Sequence, residues 1–580
     1  MSSSTDRLRT NIRFIMQASL FALGIISARL IYLQVNLSDY FNYKSKQNFQ
    51  RIAKIQPMRG NILDCNGTLL ATNRPVTDLF WQGTGNSRLT PQQKKDLDLT
   101  FTIISSNGGT NDELQTEVVR TERYYQQLAL ASDLTFDQIS KLEELFPKHK
   151  NIILSTRFTR YYPYKSYASH ILGYLGDINI SMRGKMGLEM LLEDKLQGEH
   201  GLVLRTINSL GKKLSEREIK ESLEGNTIAT TVDIDMQAIV EEIFPQDYSG
   251  TIIVMNPLDG GIQAIISRPS FDPSLFLAPI SMEEWHALQE KKPFINRAFN
   301  ATYPPGSIFK LVVVSAALEQ GIINPESSWK CNGFLIFGKR KYWCNRRYGH
   351  GLINTAQAVA KSCNILFYEI GKLMDIDQIA HYAKLFGLGE KTGIVFNEKE
   401  GVVPTRTWKQ ETLGEQWWAG ETLSVAIGQS FLTVTPIQIA RMISSIFTES
   451  LITPRILINE PIEQYPLELK PETLNFLRDS MHAVVTRGTG QRVSHVKNIE
   501  IYAKTSTAQV SSLQKRHLDK SHLEHGWFVA YFKYKDYNPL TLVILIEHAG
   551  SSRLPTITAK HFLVRYKQYK DNLEQSKGVA

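Results

Sequence analysis

Serine and lysine residues three positions apart could supply a nucleophile and the base that activates it. On a helix this spacing puts both side chains on one face, within reach of each other. A serine hydroxyl attacks poorly until a base removes its proton. A lysine can be that base only where burial or a neighbouring cation lowers its pKa. The spacing is common enough that most copies are expected to be coincidental. It occurs at Ser209-Lys212, Ser307-Lys310, Ser327-Lys330, Ser494-Lys497 and Ser512-Lys515.

One of these pairs stands at the start of a strongly apolar run. Ser307 follows the turn-forming Pro304-Pro305-Gly306, and residues 307–318 have the pattern of a helix too hydrophobic for a surface. In such a helix Lys310 would be buried and its charge disfavoured. The helix start would also direct backbone N–H groups toward a developing negative charge. The sequence therefore predicts Ser307 as a nucleophile and Lys310 as its base.

A hydroxyl and an amide stand two residues apart in Ser362-Cys363-Asn364, in a predicted turn between helical segments. Such a pair can relay a proton and hold a substrate amide. Taken alone the pattern is weak, because Ser105-Ser106-Asn107 has the same spacing. We predict that Ser362 and Asn364 belong to the site of Ser307.

A third pattern, Lys504-Thr505-Ser506-Thr507, lies in a β-like run. A strand here would offer a cation, hydroxyls and a backbone edge to a peptide that ends in a carboxylate. A rival, Lys391-Thr392-Gly393, lies only 27 residues after Asn364, among helices and loops. The later copy is the predicted one.

The length, composition and net charge of the chain exclude several classes of protein. The chain has 580 residues, of which 42% are hydrophobic and 21% charged, so it is neither mainly disordered, nor collagen-like, nor a multi-span membrane protein. The net charge of +9 comes without a long basic block, the largest clusters being Lys339-Arg340-Lys341 and Arg346-Arg347. A mildly basic surface explains this charge, and no nucleic acid is expected. Four cysteines exclude a disulfide-dense fold. Without a closely spaced ligand pair or a Walker loop, no metal and no cofactor are expected.

The amino end predicts a membrane anchor. Residues 14–28 carry no charge, Arg29 follows, and the apolar pattern continues to Val35. A helix over residues 14–35 spans about 33 Å, enough for the hydrocarbon core if Arg29 extends toward a headgroup. A cleaved signal peptide and a buried core helix are the alternatives. Basic residues before the helix place residues 1–13 in the cytoplasm and the remainder outside.

The remainder divides by pattern. Residues 36–232 are of mixed α and β character and are predicted to form an extended, non-catalytic stalk. Residues 233–570 run from strands through many helices to strands. That order predicts an α+β domain with an antiparallel sheet and an all-helical insertion. Residues 571–580 are a predicted carboxyl-terminal tail.

The chain resembles the class B penicillin-binding proteins, which are monofunctional peptidoglycan D,D-transpeptidases. The three patterns above match the family's Ser-x-x-Lys, Ser-x-Asn and Lys-Thr-Gly set in order and setting. The resemblance covers nearly the whole chain, and one stretch is closer to the elongation type, often called penicillin-binding protein two, than to the division type. That stretch is residues 418–429 with Thr435-Pro436-Ile437-Gln438. The other matching segments are Arg59-Gly60 through Asn66-Gly67, Gly187-Leu188-Glu189, Leu196-Gln197-Gly198 and Tyr303-Pro304-Pro305-Gly306-Ser307.

The resemblance implies roles for the predicted residues. Ser307 would attack the bond between the last two D-alanines of a stem peptide, and Lys310 would take its proton. Ser362 would pass a proton to the leaving amine, while Asn364 orients the substrate amide. The following strand would complete the site. There Lys504 would lower the pKa of its neighbours, Thr505 and Thr507 would bind the terminal carboxylate, and the N–H groups of Ser307 and Thr507 would form the oxyanion hole.

The resemblance also implies a context. The fold would be that of the serine β-lactamases and penicillin-binding transpeptidases, with no cofactor and no metal. The enzyme would act in lateral wall elongation and cell-shape maintenance, from the inner membrane with its catalytic domain in the periplasm. Its partners would be stem peptides, β-lactams and a polytopic glycosyltransferase. A D,D-carboxypeptidase or β-lactamase, with water as acceptor, and a catalytically impaired scaffold or β-lactam sensor are the alternatives.

Two features depart from the family pattern or stay open. Ser506 stands where the family usually has glycine, which lets substrate lie against the strand, and Cys65 stands where it often has arginine. Cys331 and Cys344 flank a hairpin-like segment, residues 334–343, and a disulfide between them is a hypothesis. Cys363 is predicted to be a buried filler.

Overall fold

The structure, a computed structural model, describes residues 2–104, 112–176, 182–208, 213–510 and 519–578. Its α-helices are α1 (Ser2–Ile31), α2 (Ser38–Phe49), α3 (Pro91–Ile104), α4 (Asp112–Arg123), α5 (Phe136–Leu145), α6 (Ser169–Leu172), α7 (Gly187–Leu191), α8 (Glu193–Leu196), α9 (Ile234–Ile243), α10 (Met282–Lys291), α11 (Lys310–Glu319), α12 (Thr355–Ala360), α13 (Asn364–Leu373), α14 (Ile376–Leu385), α15 (Arg406–Leu413), α16 (Ala419–Val425), α17 (Pro436–Thr448), α18 (Pro471–Arg487) and α19 (Arg553–Gly578).

Its strands are β1 (Gln50–Ile55), β2 (Ile62–Leu63), β3 (Leu69–Gln82), β4 (Gln127–Ala131), β5 (Ile152–Tyr161), β6 (Leu175–Gly176), β7 (Arg183–Gly184), β8 (Gly201–Ile207), β9 (Lys213–Lys220), β10 (Ile228–Ala229), β11 (Gly250–Met255), β12 (Ile262–Arg268), β13 (Ser328–Cys331), β14 (Phe334–Phe337), β15 (Arg340–Trp343), β16 (Gly351–Asn354), β17 (Ser450–Ile452), β18 (Gln464–Pro466), β19 (Ile499–Ala508), β20 (His525–Tyr534) and β21 (Leu540–Ile546).

The amino-terminal helix is longer than the predicted anchor. Helix α1 continues as a π-helical turn to Asn36. Within the segment Leu8–Asn36 an 18-residue stretch has a mean hydropathy of 1.8, and none of the segment's residues is buried. By length and composition it can cross a membrane. Apolar side chains such as Phe21, which is 74% exposed, are left without a protein environment.

The chain divides into two compact units. The smaller holds the three-stranded sheet β1-β8-β9 and a core between β3, β4 and helices α3 to α5. A buried carboxylate, Glu122, organises that core by accepting hydrogen bonds from Trp81, Gln93 and Asn151. Three donors satisfy a charge that would otherwise be costly to bury. The smaller unit comprises Met1–Arg59, Asn73–Thr159 and Gln197–Gly225.

The larger unit is built on an antiparallel sheet of five strands in the order β12-β11-β21-β20-β19. Strand β11 is buried at every position, and its side chains alternate between two cores. Ile252 and Val254 pack with α9 and α19, whereas Ile253 and Met255 face the large core of the inserted helices. Period-two alternation in an unbroken apolar strand requires a cover on both faces. This unit comprises Gly60–Thr72, Arg160–Leu196 and Asn226–Ala580.

The insertion between β12 and β19 contains helices α10 to α18 and the short strands β13 to β18. Helix α11 is buried from its first residue, with residues 310–317 all inside the core. It has no polar face because other helices surround it. The predicted α+β architecture, an antiparallel sheet with a large helical insertion, is confirmed. The prediction that the insertion is all-helical is wrong, because β13 to β18 pair within it as three two-stranded sheets.

Two segments noted in the stalk region meet in the larger unit. Arg160 and Glu189 form an ion pair of 2.7 Å with side chains 1% and 0% exposed. Arg160 also donates to the carbonyl of Gly60 at 2.7 Å. The Arg59-Gly60 and Gly187-Leu188-Glu189 segments are therefore joined by one buried guanidinium.

Candidate active site

Ser307 lies in a tight turn that leads directly into α11. Gly306 to Ile308 form one 3₁₀ turn, and α11 begins at Lys310. Gly306 has a φ of +53° and its N–H donates to the carbonyl of Gly428. The predicted pair thus stands one helical turn apart at the helix start, as its spacing requires.

Lys310 is completely buried, and its ammonium group is held by one loop. Its Nζ donates to the carbonyl of Ser362 at 2.9 Å and to Oδ1 of Asn364 at 2.7 Å. Burial lowers the pKa of Lys310 to about 8, against a smaller opposing effect from Cys363 and Cys344. The lowered pKa makes the neutral amine accessible, which is what a general base requires.

Ser362 lies between two amines. Its Oγ is 3.3 Å from Nζ of Lys310 and 3.2 Å from Nζ of Lys504. The residue has a left-handed φ of +55° in the short connection between α12 and α13, and this conformation turns its side chain between the lysines. Burial, followed by the charge of Lys310, lowers the pKa of Lys504 well below its ordinary value.

The predicted strand lies at the edge of the five-stranded sheet. Within the described residues β19 pairs on one side only, with β20. Thr505 shares a hydrogen bond with Thr489, and Thr507 accepts one from the N–H of Ser552 at 3.1 Å. The hydroxyl of Ser506 accepts a hydrogen bond from the N–H of Ser307 at 2.7 Å and donates to the carbonyl of Pro305 at 2.8 Å.

These residues surround one cavity of about 550 Å³. Ser307, Ser362, Asn364 and Thr505 to Thr507 line it, and the two buried lysines lie behind its wall. One rim carries cations and an aromatic ring from the segment that follows the β14–β15 hairpin turn. The residues of that rim are Arg340, Lys341, Trp343 and Arg347, with Lys341 and Arg347 each over the ring of Trp343.

Sequence reasoning missed several residues of this cavity. Thr489 lies in a turn after α18, and nothing in its local sequence marks it. The cations of the rim were visible only as short basic clusters on a surface. Such residues become part of a site through tertiary contacts, which carry no short-range signal.

The rival motifs lie elsewhere. Thr392 and Gly393 both donate to the carboxylate of Glu398 and do not line the cavity. Ser327-Lys330 and Ser494-Lys497 are also absent from its described lining. The pairs Ser209-Lys212 and Ser512-Lys515, and the motif Ser105-Ser106-Asn107, lie outside the described residues.

The hypothesis of a disulfide between Cys331 and Cys344 is wrong. All four cysteines, each within the described part of the chain, are free. The sulfur of Cys344 instead lies 3.8 Å from that of Cys363 and 3.5 Å from Nδ1 of His350. A disulfide requires about 2.05 Å. Cys363 is buried as predicted, but it belongs to a cluster.

That cluster has the donor set of a metal centre. Ligand atoms of Cys331, Cys344, His350 and Cys363 all lie within 4.8 Å of one another. Zn²⁺–sulfur bonds of about 2.3 Å in a tetrahedron place two sulfurs roughly 3.8 Å apart, which is the observed Cys344–Cys363 separation. The hydrogen bond between Cys363 and Cys344 lowers the pKa of the Cys344 thiol and raises that of the Cys363 thiol, so Cys344 is the first of the two to form the thiolate that binds metal.

A metal ion bound by these four residues would have a structural role. Three thiols and an imidazole complete a four-coordinate shell of the kind found in structural zinc sites. The expectation of no metal rested on the lack of closely spaced ligand pairs. Here the four ligands follow one another at intervals of 13, 6 and 13 residues. When bound, the ion would fix Cys363, and with it the connection that carries Ser362 and Asn364.

Two family models match successive stretches of the chain. Residues 250–563 match the penicillin binding protein transpeptidase domain, and residues 54–230 match the penicillin-binding protein dimerisation domain. The chain belongs to the penicillin-binding protein transpeptidase family.

Similar proteins indicate which type of penicillin-binding protein this chain resembles. The peptidoglycan D,D-transpeptidase MrdA of Acinetobacter baumannii is 30% identical over 94% of this chain and 86% of the relative. The penicillin-binding protein PBP2 of Helicobacter pylori, solved in complex with MreC, is 26% identical, with a TM-score of 0.75 over 90% of this chain and 99% of the other. A chain of a peptidoglycan synthase complex is 28% identical, with a TM-score of 0.74 over 96% and 98%. The resemblance to the elongation type is confirmed.

Proposed function

We propose that this chain is a peptidoglycan D,D-transpeptidase that cross-links stem peptides through a serine acyl-enzyme. The proposal rests mainly on one observation. The buried amines of Lys310 and Lys504 lie on either side of Ser362, and Lys310 is one helical turn after Ser307. Family membership and relatives named for this activity support it.

The arrangement suits acyl transfer step by step. The neutral amine of Lys310 takes the proton of the Ser307 hydroxyl as Oγ attacks the carbonyl of the penultimate D-alanine. The bond from that carbonyl carbon to the leaving nitrogen breaks, and Ser362 passes a proton to the departing D-alanine. An amine of a second stem peptide then attacks the acyl-enzyme, and its C–N bond replaces the ester.

Strand β19 would hold the donor peptide. Thr505 and Thr507 offer hydroxyls to its terminal carboxylate, and the edge of the strand offers backbone groups to its main chain. Ser506 lies between them, within the same binding segment. The N–H groups of Ser307 and Thr507 would form the oxyanion hole, and Asn364 would orient the substrate amide.

The proposed function also implies domain bounds, a membrane orientation and a setting for this chain. Residues 36–232 would form the pedestal, residues 233–570 the transpeptidase domain, and residues 571–580 a tail. Arg9 and Arg13, which precede the uncharged run of residues 14–28 within α1, favour a cytoplasmic amino terminus and a periplasmic catalytic domain at the inner membrane. Because one relative was solved with MreC and another in a synthase complex, a wall-elongation assembly with a polytopic glycosyltransferase is the proposed setting.

Labelling with a fluorescent penicillin tests the nucleophile. The wild-type chain should be labelled and the Ser307→Ala variant should not. Equal labelling of both proteins would reject Ser307.

Purified stem peptides then separate the possible activities. A transpeptidase yields cross-linked dimers with release of D-alanine. Release of D-alanine without dimers would indicate a carboxypeptidase. Penicillin labelling without either product would indicate a sensor or scaffold.

A further inference from the structure

The hydroxyl of Ser506 lies against the backbone of the turn that holds the proposed nucleophile. It accepts from the N–H of Ser307 at 2.7 Å and donates to the carbonyl of Pro305 at 2.8 Å. Ser506 is only 2% exposed, so water does not compete freely for either group. One side chain therefore satisfies both backbone groups that flank Gly306.

The turn is shaped around this hydroxyl. A Cβ placed on Gly306 would lie 2.4 Å from Oγ of Ser506, well inside contact distance, and Gly306 has a left-handed φ of +53°. Glycine is therefore needed at 306 both for its backbone conformation and for the space that Ser506 takes. The contact between Ser506 and the turn is therefore part of the folded site.

The N–H of Ser307 has a second use in acyl transfer. An oxyanion needs donors about 2.7–3.1 Å from the place that its oxygen will take. Oγ of Ser506 already lies at 2.7 Å from this donor. Its own hydrogen points to Pro305, so its lone pairs would face an incoming oxyanion and repel it. The hydroxyl and the oxyanion cannot both use this N–H at full strength.

We propose that Ser506 is a positioning residue that occupies the oxyanion's place at the Ser307 N–H in the resting enzyme. Every acyl donor has to displace the hydroxyl before the tetrahedral intermediate is fully stabilised. The inference rests on the proposed function. It predicts that the hydroxyl slows acylation and leaves the first, non-covalent encounter unchanged, because the donor's carboxylate is bound by other groups, those of Thr505 and Thr507.

Stopped-flow acylation by a fluorescent penicillin tests this, with the acylation rate constant and the dissociation constant of the non-covalent complex fitted separately. Ser506→Ala removes the hydroxyl and keeps Cβ, and Ser506→Gly removes both. Both variants should acylate about three- to tenfold faster, the range set by the net strength of one hydrogen bond. The dissociation constant should stay the same. Ser445→Ala is the matched control, because it removes another buried hydroxyl that donates to a carbonyl, on α17.

The possible outcomes separate the explanations. Slower or unchanged acylation by Ser506→Ala would overturn the inference, because it would mean that the hydroxyl assists the reaction or takes no part. Faster acylation by Ser506→Gly alone would also overturn it, in favour of an effect of Cβ on substrate approach. A purely structural role would lower the melting temperature and the acylation rate together. Failure of the wild-type chain to be labelled at Ser307 would count against the proposed function instead.

Discussion

Two amines and one hydroxyl set the acid–base properties of the site. Lys310 and Lys504 are both fully buried, and each lies within 3.3 Å of Oγ of Ser362. Two ammonium ions so close would repel each other, and burial disfavours both charges. The pKa values of both amines are lowered, so at least one of them is readily neutral near physiological pH. Lys310 is favoured as the base because it lies one helical turn after Ser307.

The acylation rate should rise with pH through about 8. Burial lowers the pKa of Lys310 to about 8, so its neutral, proton-accepting form grows as pH increases across that value. Between pH 7 and pH 9 the neutral fraction, and with it the acylation rate constant, should increase about tenfold. Stopped-flow acylation by penicillin across this range measures it.

A flat profile would argue against Lys310 as the base. Lys310→Met, which keeps the length of the side chain without an amine, is the companion variant. It should lose the rise with pH along with roughly 10²–10⁴-fold of the rate.

At the scale of elements, the sequence predicted those with a strong local hydrophobic pattern. It did not predict contacts between residues distant in sequence. The helix α11 was predicted because burial on all sides leaves an unbroken hydrophobic run. Thr489, the turn-binding hydroxyl of Ser506 and the cysteine cluster were not, because each depends on segments distant in sequence. The predicted disulfide failed for the same reason, since sequence spacing does not give the direction of a Cβ.

Removal of one partner of the buried ion pair Arg160–Glu189 should strongly destabilise the larger unit. Glu189→Gln leaves the guanidinium of Arg160 buried beside a neutral amide, and breaking such a pair destabilises by roughly 3–5 kcal/mol. Thermal unfolding should show a clearly lower melting temperature. Glu199→Gln breaks an exposed pair with Lys220 and is the matched control, expected to leave the melting temperature unchanged. Equal melting temperatures for both variants would contradict the assignment.

The cluster of three cysteines and a histidine should retain one Zn²⁺ per chain. The ligand set and its tetrahedral spacing fit that ion. Elemental analysis of purified protein measures the metal, and a strong chelator should lower the melting temperature, because a structural metal stabilises only the folded chain.

Two single cysteine substitutions test whether the cluster holds the zinc. Cys344→Ser should lose the metal, whereas Cys65→Ser, at an exposed cysteine outside the cluster, should keep it. Retention of zinc by Cys344→Ser would show that the metal is held elsewhere.

At the scale of the whole molecule, the apolar segment Leu8–Asn36, none of whose residues is buried, lies at the amino end of the smaller unit. A chain lacking residues 1–36 should stay soluble without detergent, because it lacks the exposed apolar surface, and should still be labelled by penicillin, because the cavity is built from residues 307–552. Sedimentation in detergent-free buffer and labelling measure the two properties. Equal solubility of the full-length chain would speak against a membrane anchor.

The cationic rim of the cavity has a consequence for how substrate arrives. Arg340, Lys341 and Arg347 would attract anionic wall strands before any contact forms, and such steering raises the association rate. Its range is set by the Debye length, about 8 Å at physiological ionic strength. Capture of wall strands by this enzyme would therefore slow as the ionic strength rises, while the chemistry at Ser307 would not.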